Sequence, residues 1–409
     1  MFDRWFQKAD VMLIGSVAGL LLMGFLALYS TSASIPQSSG GLNYFESQLI
    51  WFAVGLIALL IVFFIPMRIF SDYSYAMYGL TLVLLIVVLL IDGGETGARR
   101  WISLGFINFQ PSELAKITVL LAAANYLTNF QVDLNRFKNF FIVSSLFFFP
   151  PFLLILKQPD LGTAVVFLVL ILPVFYWAGL KGGNVFLYIA PLFVLMASFN
   201  FYLFLISMLV IVAYLYYSKR SLLTGMAVFL LNIFVGMITP VLWSNLREYQ
   251  QQRIKIFLSP ESDPLGAGYQ IIQSKVAIGS GGLFGKGFLN GSQTQLRFLP
   301  EQHTDFIFSV IGEEFGFLGV FIGLVLFTIF LINAVKIANM QRNKFNSIVS
   351  IGIATLIGFH MIVNIGMTIG LLPVTGLPLP FVSYGGSAMV INLSLVGLLL
   401  NFYRHRYEY

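Results

Sequence analysis

Asp305 stands where a long polar stretch, residues 244–314, runs back into apolar sequence, with Glu301 and His303 just before it. A carboxylate at a water–lipid border can take a proton from a hydroxyl. The same stretch carries IGSGGLFGKGF (278–288). Its glycines bring backbone N–H groups close to an anion, and Lys275 and Lys286 add positive charge. Upstream, GARRW (97–101) presents Arg99 and Arg100 beside Trp101. QPSELAK (110–116) places Glu113 and Lys116 at i,i+3 on one helix face. QPDLGTA (158–164) contributes Asp160. Cations and glycines hold phosphate, and a carboxylate activates a hydroxyl. The chemistry that fits is group transfer on an anionic, lipid-anchored phosphate substrate.

Each of these residues has a plainer use as well. Trp101 suits a membrane interface. Asp160 caps a helix beginning near Leu161, and Thr304 or Asp305 caps the helix that follows Asp305. The glycine run serves equally as a flexible surface loop. Intramembrane charge is costly, so Glu113 with Lys116, and Glu313 with Glu314, ask for a further reason. Glu313 falls about 12 Å along and about 80° around the helix from Asp305, while Glu314 points to the opposite side. Small residues at 312, 316, 319 and 323 allow another helix to pack close.

Several chemistries are disfavoured. The glycine run is not a Walker loop: Gly287 follows Lys286 where Ser or Thr is required, and Ser280 stands where the first glycine belongs. The histidines are few and scattered, which argues against a zinc hydrolase. No GxSxG elbow supports a serine hydrolase. No D-x-D supports a metal-held nucleotide sugar. GLLPVTGLPLPFVSYGG (370–386) is broken by Pro373, Pro378 and Pro380. Irregular backbone at membrane depth is tolerated only inside protein or along a cavity, so this segment is expected to line the same outer cavity.

The elements that must position these groups are helices. Of 409 residues, 58% are apolar and 10% charged, against about 25% charged in soluble domains. The chain reads as an all-α polytopic membrane protein, one integral membrane domain over 1–409. Spans are expected near 11–31, 47–65, 74–91, 112–129, 139–156, 161–179, 184–199, 201–217, 222–243, 306–334, 348–368 and 386–402, about twelve in all. The pair at 184–217 turns tightly at Asn200. Residues 92–111 form an outer loop with GARRW, and 244–304 a large extracytoplasmic loop. Lys and Arg place both termini in the cytoplasm, with Arg99, Arg100 and Lys157 as outside exceptions. The first apolar segment is too long for a signal-peptide core and reads as an anchor that stays. Cysteine is absent, so no disulfide forms. The net charge of +6 follows from the inside rule and indicates no nucleic-acid partner.

The string GYQIIQSKVAIGSGGLFGKGFLNGSQTQLRFLPEQHTDFIFSVIGEEFG resembles the SEDS proteins (shape, elongation, division and sporulation). GARRWI, QPSELAK, QPDLGTA and GLPLPFVSYGGS match in order and position, so the resemblance covers nearly the whole chain. Its wording is that of the elongation member rather than the division member. The resemblance implies a SEDS-type helical bundle of about ten family spans, with the 184–217 hairpin as an insertion. It implies a peptidoglycan glycosyltransferase at the outer face of the bacterial cytoplasmic membrane. Lipid II is polymerised through β-1,4 bonds onto undecaprenyl-linked glycan, and undecaprenyl pyrophosphate is released. The family's essential acid falls on Asp305, its loop tryptophan on Trp101, and its intramembrane acid–base pair on Glu113 and Lys116.

Together the two readings assign Asp305 as general base or as the carboxylate that orients the acceptor hydroxyl. Arg99, Arg100, Trp101, Glu113, Lys116, Asp160, Lys275, Lys286 and His303 are assigned to substrate. A divalent cation, Mg or Mn, would share the pyrophosphate, with no organic cofactor. The expected partners are a class B penicillin-binding protein and other elongation-complex membrane proteins. A lipid II flippase or a non-catalytic scaffold are the rival readings. The crowding of charge toward the outer side favours an enzyme.

Overall fold

The computed structural model describes residues 10–33, 43–90, 100–103, 108–219, 222–246, 248–259, 263 and 267–406. Arg99 and much of the 92–111 loop lie outside the described residues. In chain order the helices are α1 (Val11–Ala33), α2 (Tyr44–Phe64), α3 (Met67–Asp72), α4 (Ser74–Leu90), α5 (Pro111–Asn129), α6 (Phe137–Lys157), α7 (Leu161–Trp177) and α8 (Gly182–Ala197). They continue as α9 (Phe201–Tyr217), α10 (Leu222–Asn245), α11 (Glu248–Leu258), α12 (Ala267–Ser280), α13 (Ser292–Gln295), α14 (Ile307–Met340), α15 (Lys344–Thr368) and α16 (Gly386–Arg404). A short antiparallel pair, β1 (Ile102–Ser103) and β2 (Asn108–Phe109), precedes α5.

Every expected span has a helix at its position. By length and composition α1, α2, α6, α10, α14, α15 and α16 are each able to cross a membrane, while α4, α7, α8 and α9 are apolar but shorter. Helix α5 is different. It starts with Pro111 at its first turn, where a missing N–H costs nothing. It carries Ser112, Glu113, Lys116 and Asn125, all buried. Neighbouring helices shield it from lipid, which is why its polarity is tolerated.

The main core runs through α1, α4 to α7 and α14 to α16. The hairpin expected at 184–217 is α8 and α9, with Asn200 capping α9 through Tyr202 N and Leu203 N. With α10 it forms a separate apolar cluster around Leu187, Val194, Met208, Ile211 and Val228.

The large loop is more structured than the flexible surface loop that its glycine run suggests. It contains α11, α12 and α13, and α12 is packed down. Ile271 and Ala277 are buried. Ser274 Oγ lies 2.6 Å from Ser309 Oγ and donates to Thr368 O at 2.6 Å. The glycine run also has a different use. Helix α14 is broken at Gly316 (φ 64, ψ −160). The break frees the carbonyls of Glu313 and Glu314, and Lys286 N and Gly287 N donate to them at 3.0 and 3.1 Å. In return Phe317 N and Leu318 N donate to Gly282 O and Leu283 O at 2.9 and 3.1 Å. A Cβ at Gly316 would stand 2.3 Å from Gly285 N, and one at Gly285 2.0 Å from Glu314 O. Glycine is required at 285 and 316 because two backbones meet there. The remaining small residues of α14 serve separate neighbours: Gly312 faces Ile278 and Gly323 faces Met23 of α1.

Candidate functional site

A cavity of about 860 Å³ opens where α5, α7, α14 and α16 begin, roofed by the broken segment 370–385. Asp305, Glu301, Asp160, Arg100, Trp101 and Glu113 line it, together with Thr375, Gly376 and Pro378. Helix N-termini carry unpaired N–H groups and a positive partial charge, so their convergence favours an anion.

Local glycines set the walls. Gly376 has φ 77, and a Cβ there would lie 3.7 Å from Asp305 Oδ2. A Cβ at Gly162 would sit 2.5 Å from Thr375 O, so the start of α7 is pressed against the broken segment. That contact carries Asp160 into the cavity wall. Asp160 does cap α7, accepting from Thr163 N at 3.2 Å and Thr163 Oγ1 at 3.0 Å. Its Oδ2 also lies 3.9 Å from Arg100 Nε. Arg100 donates from Nη2 to Pro159 O at 2.5 Å, while its buried Nε has no hydrogen-bond partner. Trp101 lines the mouth and is 47% exposed.

Glu113 and Lys116 form the ion pair that their spacing predicts, at 2.7 Å. Glu113 reaches the cavity wall, whereas Lys116 is 1% exposed beneath it. Lys116 Nζ also lies 3.3 Å from His360 Nε2.

The other expected contacts fall elsewhere. Lys286 Nζ is 2.8 Å from Glu313 Oε1 and donates to Ser292 Oγ at 2.7 Å. Glu313 also accepts from Gln293 N at 2.8 Å and Thr294 N at 3.0 Å, which fixes the loop around α13. Glu314 accepts from Ser30 Oγ of α1. Lys275 is exposed and lies against Gly370. Neither Lys275 nor Lys286 lines the cavity. Their charges are separated from it because α12 and the glycine run pack against α14. His303 stacks on Tyr44 with centroids 3.8 Å apart, behind the cavity wall. Burial holds its pKa below the ordinary histidine value, partly offset by Glu301 at 3.9 Å.

Other polar residues near the site were not anticipated from sequence. Asn364 donates to Asp305 O at 3.1 Å and Leu377 O at 2.9 Å. Ser383 Oγ donates to Thr304 O at 2.7 Å and accepts from Leu379 N at 2.8 Å. Tyr384 N donates to His303 O at 2.9 Å. Gln48 bridges Ser383 O and Gly385 N, each at 3.2 Å. The broken segment is thereby tied to residues 303–305 by Asn364 of α15, by its own Ser383 side chain and by the Tyr384 backbone, and to α2 by Gln48. The signal for His360 and Asn364 was present: polar residues at i,i+4 inside an apolar span.

Among the described residues, no three His, Asp or Glu side chains gather as a metal cage.

The family model FTSW_RODA_SPOVE, described as cell cycle protein, matches residues 11–220 and 202–408. The peptidoglycan glycosyltransferase MrdB of Escherichia coli (strain K12) is 38% identical over 389 residues, spanning 94% of this chain and 93% of that one. The peptidoglycan glycosyltransferase RodA of Treponema pallidum (strain Nichols) is 33% identical and spans 97% of this chain and 98% of that one. Among solved structures, a chain of a peptidoglycan synthase complex, described as coordinating polymerization and crosslinking, superposes with a TM-score of 0.74. It is 32% identical and covers 98% of this chain and 99% of its own. The rod shape determining protein RodA of Thermus thermophilus superposes at 0.64, with 28% identity over 98% of both chains.

Proposed function

The chain belongs to the SEDS family of FtsW, RodA and SpoVE, and we propose that the cavity at Asp305 is where it polymerises lipid II. It is a multi-pass membrane protein and a peptidoglycan glycosyltransferase of the RodA type. The observation that carries the site assignment is convergence. Asp305, Asp160 with Arg100, and Glu113 come from separate parts of the chain to one cavity at several helix N-termini, with Lys116 paired to Glu113 beneath it.

In this reading the cavity faces outward, and both termini are cytoplasmic. Asp305 orients the 4-hydroxyl of the acceptor lipid II and takes its proton. That oxygen forms a bond to the donor's anomeric carbon with inversion. The anomeric C–O bond to phosphate breaks, and its electron pair leaves on undecaprenyl pyrophosphate. Arg100 and the N-terminus of α16 receive the developing charge. Lys116 contributes its field from below without touching substrate. A magnesium or manganese ion brought by substrate would take phosphate oxygens, and no step here depends on it. A class B penicillin-binding protein is the proposed partner. The reading is supported by the structural neighbour, which comes from a synthase complex that coordinates polymerization and crosslinking.

The test is polymerisation of purified lipid II by the protein with its partner. Asp305→Asn should lower the rate about 10²–10⁴-fold while leaving thermal stability in detergent unchanged. Full activity in that variant would remove Asp305 from the chemistry. Movement of labelled lipid II across a sealed bilayer without polymer would favour transport.

A further inference from the structure

We propose that Asn364 is a positioning residue for Asp305, and that His360 extends the same clamp to the buried ion pair. The proposal rests on the reading of Asp305 as the acting carboxylate. Asn364 is fully buried in α15, with no exposed surface. Its amide nitrogen makes two bonds, to Asp305 O at 3.1 Å and Leu377 O at 2.9 Å. One side chain therefore joins the backbone of the acid to the backbone of the broken segment. Gly376, next to Leu377, is the residue whose missing Cβ leaves room beside Asp305 Oδ2. The separation between the carboxylate and its wall is set by this amide.

His360 lies one turn earlier on the same face of α15. Its Nδ1 is 3.4 Å from Pro378 O, and its Nε2 is 3.3 Å from Lys116 Nζ. An ammonium can only donate, so Nε2 accepts and the proton belongs on Nδ1, toward Pro378 O. Successive carbonyls of the broken segment, Leu377 and Pro378, are thus held by successive turns of one helix. The ion pair and the acid are registered on a common rigid element. A misplacement of about 1 Å in such a constellation costs about 10²-fold in rate.

The experiment is steady-state polymerisation of lipid II by the full chain with its partner, for wild type, Asn364→Leu, Asn364→Ser and Asp305→Asn. Each is measured across pH 5–9 with melting temperature in detergent alongside. Leucine fills the space and removes both donors; serine keeps one. Asn364→Leu should lower kcat about 30- to 100-fold with KM within about threefold, and move the acid limb of the kcat profile. Asn364→Ser should fall between it and wild type. If Asn364→Leu does not accumulate, the serine variant decides alone. A kcat within twofold of wild type overturns the proposal, and so does a fall in kcat with an unmoved pH profile, which marks loss of folded protein only. Retained activity in Asp305→Asn instead overturns the reading of Asp305 itself, whatever the Asn364 variants do.

Discussion

The ammonium of Lys286 lies 2.8 Å from the carboxylate of Glu313, which is fully buried. This pair turns the glycine-rich run into a clasp on the broken helix α14. Lys286 N also donates to Glu313 O at 3.0 Å, so the two residues are joined by both backbone and side chain. Replacing Lys286 with Met removes the cation paired with buried Glu313 but leaves its hydrogen bonds from Gln293 N, Thr294 N and Thr294 Oγ1, at a cost of about 1–3 kcal/mol. Lys286→Met should therefore lower the melting temperature, and Lys286→Met with Glu313→Leu should lose less than the two single variants summed. Unchanged stability with weakened substrate binding would return Lys286 to the phosphate site.

The ion pair of Glu113 and Lys116 is directional. Glu113 sits in the first turn of α5, where the helix dipole favours an anion. Lys116 must donate to His360. Exchanging the two charges, Glu113→Lys with Lys116→Glu, keeps the pair but reverses both relationships. The swapped protein should recover less than half of the stability that Lys116→Met loses, read from thermal unfolding in detergent. Full recovery would mean that neither the dipole nor His360 matters.

Asp160 has two roles that two substitutions separate. Asp160→Asn keeps an acceptor for Thr163 N, while Asp160→Ala loses the cap at about 1 kcal/mol. Both lose the charge facing Arg100. Under the proposed mechanism both should lower polymerisation about tenfold or more, while only the alanine variant loses stability. Wild-type activity in Asp160→Asn would leave capping as the sole role.

His303 gives a pH dependence of stability. Its folded pKa is lowered, first by burial, with Glu301 opposing. The unfolded chain therefore binds the proton more readily. The stability due to neutral His303 is complete above about pH 6.5 and is lost as pH falls from there through the folded pKa. His303→Phe retains a ring to stack on Tyr44 and cannot titrate. Between pH 7.5 and 5.5 the wild type should lose more thermal stability than this variant. Parallel losses would assign the acid sensitivity to other groups.

Much of the architecture was legible because lipid leaves a chain few options. A backbone in hydrocarbon must bond to itself, so each long apolar run became a helix near its expected bounds. Glu113 and Lys116 were equally legible, because i,i+3 spacing alone puts them together. The glycine run was not. Its composition suits an anion cradle and a backbone-to-backbone clasp alike, and the clasp depends on the break at Gly316, about thirty residues further along the chain.

The helices, the membrane class, the family resemblance and the short-range pairs can be read from the residues in order, because those depend on hydrophobicity and on contacts within one turn. Tertiary structure alone decided which charges share a cavity. Arg100 reached Asp160, Glu113 came within one cavity of Asp305, and Lys275 and Lys286 were carried away from it. Those outcomes depend on how helices far apart in the chain pack and where their ends meet. The same packing brought Asn364 to the backbone of Asp305, a bond across distant sequence that no local pattern encodes.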